Sequence, residues 1–366
     1  MASNKPDVYR ARRRGWRGLW RALPWLLLVL LLAAVTLIYA GHKYIVYDKE
    51  GLHVQFPMFG ERVTAEDAAG PTPTVYPAEL VYEEPDYASL LSTAGQNLQT
   101  LRGKYLTAES INANTLAAAA EQVAAAKGNA LVLQMKPPSG SLTWKSGVVM
   151  AESFEVNGSL ELEETIRDLK AEYSGLRFVA VVSCCVDSLM AERYAALALK
   201  TAGGDPYADG SGGWVDPYST TLRDYLGSLC RELADMGFDE IAFSYLQMPV
   251  TTAELNFSAQ LSTDPTATDA VMSLAQYLRS ALSDRSVELD IILSADSALQ
   301  GSGGTTGQDL TLLCKLFARL CAFTDSDTLP TLRDKIADAN EGFDAENRFV
   351  PFVRNAQIEG SWVMTG

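Results

Sequence analysis

Apolar and polar positions along this chain follow two alternating periods. Short apolar runs with the length of buried strands occur at residues 103–108, 130–135, 177–186, 237–246, 287–295, 316–323, 348–353 and 360–364. Between most of them lie stretches with apolar residues at helical spacing, at 109–127, 160–173, 188–200, 219–236, 269–282, 308–315 and 332–339. Glycines or prolines close many of these segments, as at Gly128 and Gly237. Strands that alternate with helices pair in parallel. Eight strands in about 265 residues predict a (β/α)8 barrel of the TIM type, and an open doubly wound sheet is the alternative. The chain ends just after the eighth strand, so the last βα unit is expected to be incomplete. A hairpin is expected around Trp144.

The fourth of these strands organises the rest. Alternation along it puts Glu240, Ala242, Ser244 and Leu246 on one face and Ile241, Phe243 and Tyr245 on the other. The smaller set suits a crowded barrel interior and the bulky set suits packing under helices. Ser244 to Gln247 then fall at the carboxyl end of the strand, where barrel active sites form. Asp239 and Glu240 fall at the opposite end, where they are expected to bind arginines or backbone amides.

The amino-terminal residues read differently. Residues 1–23 carry seven basic side chains against Asp7 and form a basic tail. Residues 24–41 are almost wholly apolar and span about 25 Å as a helix, with Trp16, Trp20 and Tyr44 to extend the span into the interface. The positive-inside rule predicts a single-pass anchor in a bacterial cytoplasmic membrane, with the amino terminus cytoplasmic and the body outside. A cleaved leader is the alternative, but bulky Tyr39 lies in the position where a cleavage site favours small residues. A short hairpin at 42–59, a linker rich in proline and acid at 60–86 and a barrel domain at 87–366 follow.

The chain has a formal charge of −15, and the tail contributes +6, so the remainder carries −21. That balance argues against nucleic acid as a partner. The two histidines, His42 and His53, both precede the barrel, which excludes histidine-based triads and metal sites within it. The five cysteines form no Cys-x-x-Cys pair and read as buried apolar groups. No Gly-x-Gly-x-x-Gly or Walker-type loop opens a helix, and neither metal nor cofactor is expected.

Trp214-Val215-Asp216-Pro217-Tyr218, Gly237-Phe238-Asp239-Glu240-Ile241, Ser294-Ala295-Asp296 and Gly307-Gln308 resemble a family of bacterial glycoside-hydrolase-like barrel domains, distantly similar to the α-amylase clan and often envelope-anchored. Arg102 to Thr107 and Lys136 also match, so the resemblance covers roughly residues 100–366. It implies carbohydrate as the ligand. The chain departs from that pattern at several positions. Ser244 stands where the family has an aspartate, Gln247 where it has an arginine, and Val181 where a further arginine is expected. Gln134 and Pro137 replace acids that flank the family's lysine, and the aspartate of the sixth strand aligns with Ala318.

Glycoside hydrolysis uses two carboxyl groups, one protonated and one charged. Asp296 and Asp187 are the acids at strand ends and so the catalytic candidates, although Asp187 and Asp216 also suit helix caps. Ser244, Tyr245, Gln247, Lys136, Trp214, Asp216 and Tyr218 are the candidate substrate-binding residues, and aromatic rings such as Trp144, Trp214, Tyr218 and Tyr245 could stack on sugars. A hydroxyl and an amide cannot replace a carboxylate nucleophile or base. The expected function is therefore glycan binding with weak or lost hydrolysis. An active carboxylate-dependent hydrolase is one alternative, and a structural or protein-binding barrel without a concave pocket is the other. The sequence gives no oligomeric state.

Overall fold

The eight expected strands pair in the order in which they occur along the chain. The computed structural model describes residues 45–48, 51–54, 98–257, 266–300, 305–354 and 359–366. In it β1 (Arg102–Leu106), β2 (Ala130–Lys136), β3 (Arg177–Ser183), β4 (Glu240–Ser244), β5 (Glu288–Leu293), β6 (Leu320–Phe323), β7 (Phe349–Val353) and β8 (Trp362–Met364) form a closed barrel. Every neighbouring pair is parallel, and β8 closes onto β1 through Trp362↔Arg102, Val363↔Gly103 and Met364↔Lys104. Closure excludes the open sheet. Gly103 lets β1 and β2 approach, because a Cβ there would lie 2.6 Å from the Ala130 carbonyl oxygen.

Among the described residues the longer helices are α1 (Ala113–Ala125), α2 (Glu163–Glu172), α3 (Thr220–Asp235), α4 (Ala267–Ala281), α5 (Leu310–Leu316) and α6 (Leu329–Asp338). Their starts are written in the sequence. Asn112 and Thr115 form a capping box on α1, Thr266 and Asp269 do so on α4, and Ser219 and Asp309 cap α3 and α5. Pro330 lies in the first turn of α6, where a missing N–H costs nothing.

The period-two pattern produces two separate cores. Val132, Val179, Val181, Ala242, Ile292 and Val350 meet inside the barrel. Leu131, Phe178, Ile241, Phe243 and Ile291 belong to the larger core between strands and helices. Each fully buried Leu, Ile or Phe there contributes about 1.5–3 kcal/mol. Ala242 inside and Phe243 outside fix the phase of β4 as the alternation predicts.

Three local expectations need correction. The helix expected at 188–200 ends at Arg193, and the sixth strand starts at Leu320 because α5 runs on through Leu316. Trp144 joins no hairpin. It bridges Leu160 in parallel, and its Nε1 donates to Glu232 Oε2 at 2.9 Å.

The chain divides into two compact units, Met1–Tyr82 and Glu83–Gly366, and the barrel belongs to the second. In the first, Ile45–Asp48 and Gly51–Val54 pair antiparallel as the expected hairpin. The basic tail, the apolar segment at 24–41 and the linker at 60–86 lie outside the described residues. Among the described residues no helix is long and apolar enough to cross a membrane.

Candidate functional site

The carboxyl end of β4 is held on all sides. Ser244 continues the inward phase of Glu240 and Ala242 and so faces the barrel mouth, half-buried. Its carbonyl accepts from Cys184 N at 2.9 Å, and the carbonyl of Tyr245 accepts from Cys185 N at 3.0 Å. Tyr245 has φ +51°, a left-handed conformation that a tyrosine adopts only at a cost of about 1–3 kcal/mol. Its ring meets Trp214 edge-on at 6.5 Å between centroids. Gln308, buried, donates from Nε2 to the Leu246 carbonyl at 3.2 Å and accepts from Ser294 N on Oε1 at 3.1 Å. It therefore clasps the ends of β4 and β5 together. Gln247 is half-buried beside them.

Neutral groups dominate the mouth itself. Tyr105, Phe323 and Phe352, from β1, β6 and β7, form an aromatic trio with centroid separations of 5.7, 5.8 and 4.8 Å. Burial, then the nearby Glu109 carboxylate and Tyr245, push the Tyr105 phenol up, so it remains a neutral donor. Gln134 turns its Oε1 to Ala108 N at 3.2 Å.

One side of the mouth carries a wall built from the β3–α3 and β4–α4 connections. Val186 bridges Trp214 and Ala198 bridges Val215, while Lys200–Thr201 pairs antiparallel with Leu255–Asn256. Trp214, Asp216 and Tyr218 are buried within this wall. Asp216 Oδ1 accepts from Tyr218 N at 2.9 Å. The Tyr218 ring stands edge-on to Phe257 at 5.4 Å, and the Arg223 guanidinium lies 5.4 Å from its centroid. Of the aromatic residues expected to stack on sugars, Trp144, Trp214 and Tyr218 are packed against protein. An exposed aromatic ring does stand at the mouth, but it is Phe323, 46 % exposed. The alternation Arg319, Cys321, Phe323 along β6 points it inward and upward, and that was the available signal.

The acids divide into buried and open ones. Asp187 caps the short helix Ser188–Arg193 by accepting from Met190 N on Oδ1 at 2.8 Å. Its Oδ2 lies 2.8 Å from Lys136 Nζ in a fully buried ion pair that lacks hydrogen-bond alignment. Lys136 Nζ also donates to the Ser183 carbonyl at 3.0 Å. Gly140 makes room for the pair, since a Cβ there would come within 2.0 Å of Asp187 Oδ1. Lys136 is therefore neither a solvated lysine nor an open ligand donor. Burial pushes the adjacent Cys185 thiol up to about 12, which leaves it an inert apolar group.

Asp296 is exposed in the first turn of the helix Ala295–Gln300. It lines a cleft of about 1220 Å³ together with Phe323, Asp325, Arg333, Arg354 and Glu359, at the carboxyl ends of β5, β6 and β7. Asp325 Oδ1 accepts from Thr328 N at 2.8 Å and from Asp327 N at 3.0 Å, which holds that carboxyl below the usual range. Asp325 is the acid at the carboxyl end of β6. Ala318, which the sequence aligned with that role, precedes the strand at its amino end.

A second ionic cluster seals the floor. Glu240 pairs with Arg177 at 2.7 Å and with Arg319 at 2.8 Å, all from inward positions of β3, β4 and the entry to β6. Asp290 Oδ1 accepts from Arg319 N at 3.0 Å. Burial, then the neighbouring Glu240 carboxylate, raise the Asp290 carboxyl well above its usual range, so it holds a proton for Glu240. Burial opposes ionisation of Glu240 too, but Arg319 keeps it below its usual value. The barrel thus has a protonated carboxyl beside a charged one, at the end away from the mouth. Asp239 accepts from Phe178 N at 2.8 Å and pairs with Lys170. Among the described residues no three His, Cys, Asp or Glu side chains are grouped to hold a metal.

Among solved structures, a hypothetical protein from Ruminiclostridium thermocellum ATCC 27405 is 20 % identical over 52 % of this chain and 96 % of its own, with TM-score 0.46. The glycoside hydrolase domain of PgaB (BpsB) from Bordetella bronchiseptica is 13 % identical over 69 % of this chain and 84 % of its own, with TM-score 0.48. The GH20 β-N-acetylhexosaminidase from Streptomyces coelicolor A3(2) is 11 % identical over 73 % of this chain and 54 % of its own, with TM-score 0.44. No curated protein matches. A family model described as "Putative glycosyl hydrolase domain" matches residues 103–323, from the first barrel strand to the end of the sixth, and the chain belongs to that family.

Proposed function

We propose that this protein is a membrane-anchored, extracytoplasmic barrel that binds cell-envelope or extracellular glycan at its mouth, with hydrolysis weak or lost. The observation that carries the reading is Ser244. It occupies the inward position at the end of β4, where the family resemblance calls for an aspartate, and Gln247 replaces the arginine that would accompany it. A hydroxyl without a base supplies neither nucleophile nor proton acceptor. Asp187, a catalytic candidate by position, has Lys136 and a helix terminus as partners. What the mouth retains is shape, aromatic surface and neutral hydrogen-bonding groups, which suit sugar rings. A cleft of this size also argues against a purely structural role. The basic tail and the apolar segment at 24–41 support the anchor and the orientation.

The test uses the full chain in lipid nanodiscs against a panel of envelope and extracellular polysaccharides. Retention of at least one glycan without release of reducing ends is the expected result. A second reading, an active hydrolase, has one observation in its favour: Asp296 and Asp325 are exposed in the same cleft. Turnover that disappears in Asp296→Asn would replace the first reading with the second.

A further inference from the structure

We infer that the cleft at the ends of β5, β6 and β7 is a subsite for a carboxylate-bearing sugar, a hexuronate unit within a glycan chain. The inference rests on the glycan-binding reading above and names its ligand class. Its basis is a contrast among arginines. Arg177, Arg231, Arg285 and Arg319 each lie within 2.8 Å of a carboxylate oxygen, and Arg102, Arg223, Arg279 and Arg348, which make no ion pair among the described residues, donate to backbone carbonyls within 3.0 Å. Arg333 and Arg354, which line the cleft, form no ion pair among the described residues, although Asp296, Asp325 and Glu359 line it with them. Arg333 reaches only the Glu359 carbonyl, at 3.5 Å, and its buried Nε has no acceptor. A guanidinium held only by one long hydrogen bond to a carbonyl, in so acidic a body, is a donor array that a ligand can complete. Its planar fork fits a carboxylate in two parallel hydrogen bonds.

The other lining groups narrow the class. Phe323 is 46 % exposed and is braced edge-on by Phe352 and Tyr105, so it offers a fixed apolar surface to the C–H face of a sugar. Asp296 and Glu359 are open acceptors for sugar hydroxyls, while Asp325 already accepts two backbone N–H groups. Donors for one carboxylate beside acceptors for hydroxyls describe a hexuronate. A polyphosphate has no hydroxyl donors for the open carboxylates of Asp296 and Glu359.

The experiment measures binding of the full chain in nanodiscs to tetragalacturonate and to its carboxyl-reduced counterpart, with neutral and amino-sugar oligomers alongside. Carboxyl reduction is expected to weaken binding by about ten- to a hundredfold, the range of a lost charge-assisted pair. Arg333→Gln and Arg354→Gln are expected to weaken binding of the uronate, and not of the reduced chain, by a similar factor. The ligand comparison needs no variant, so a misfolded Arg333→Gln leaves the inference testable. Equal binding of uronate and reduced chain overturns the hexuronate class and leaves glycan binding intact. Preference for the amino-sugar oligomer does the same. Failure to bind any of the oligomers or any envelope polysaccharide overturns both.

Discussion

The two ends of one strand show how differently this barrel treats charge. At the floor, Glu240 joins Arg177, Arg319 and Asp290 in a sealed network. Four residues further along β4, at the mouth, the inward position is Ser244 with neutral Gln134 and Tyr105 among the strand-end groups around it. Inside the barrel, full charges cluster where they hold strands together and are replaced by neutral groups where a ligand would enter. The remaining open charges sit off-centre, in the cleft beside β5 to β7. A hydrolase of this architecture needs its charged carboxyls in the opposite place.

The largest expected effect is on the floor. Glu240→Ala removes the carboxylate that pairs with both Arg177 and Arg319 and should lower stability by about 3–5 kcal/mol in chemical denaturation, against less than about 1 kcal/mol for Ser244→Ala. A comparable loss for both would erase the contrast between the ends. Next, Lys136→Met leaves Asp187 buried and unpaired. Because Asp187 keeps its bond to Met190 N, a loss of about 2–4 kcal/mol is expected by the same measurement.

Asp290 gives a pH signature. Its folded-state pKa is raised, so its contribution to stability is fully present below the unfolded carboxylate range, near about 4, and fades as pH rises through the folded value. Glu240, with its pKa lowered, contributes above that range and fades in acid. Asp290→Asn keeps a donor for Glu240 without a titrating proton. It should remove the loss that sets in as pH rises above about 4 while leaving the loss in acid, with each tenfold difference in proton affinity worth about 1.4 kcal/mol. An unchanged loss on raising the pH would place the proton elsewhere. The smallest effect on stability is expected for Phe323→Ala, under about 1 kcal/mol, since nearly half the ring is exposed. On glycan affinity the same substitution should show about a tenfold loss by calorimetry.

Most of the barrel was legible because periodicity encodes it directly. The strand and helix succession and the inward face of β4 follow from local pattern. What escaped the sequence depends on partners far along the chain. The burial of Lys136 follows from Asp187, 51 positions away, and from the absent side chain at Gly140. Trp214 and Tyr218 read as open stacking rings, but Leu255–Asn256 and Phe257 pack the wall around them. Phe323 was passed over because an apolar residue ending an apolar run looks like core. Ala318 was taken for a position at the mouth because apolar residues on both sides of Arg319, Leu316 to Ala318 and Leu320 to Ala322, blur the boundary between α5 and β6.

Gln308 carries a wider consequence. Through one carboxamide it fastens the ends of two neighbouring strands just beyond their backbone ladder, at Leu246 and Ser294, so ladder and side chain together hold that part of the rim. Insertions and deletions upstream of Thr306 are thereby uncoupled from the floor plan of the entrance. Related chains could vary that connection freely and still present the same doorway.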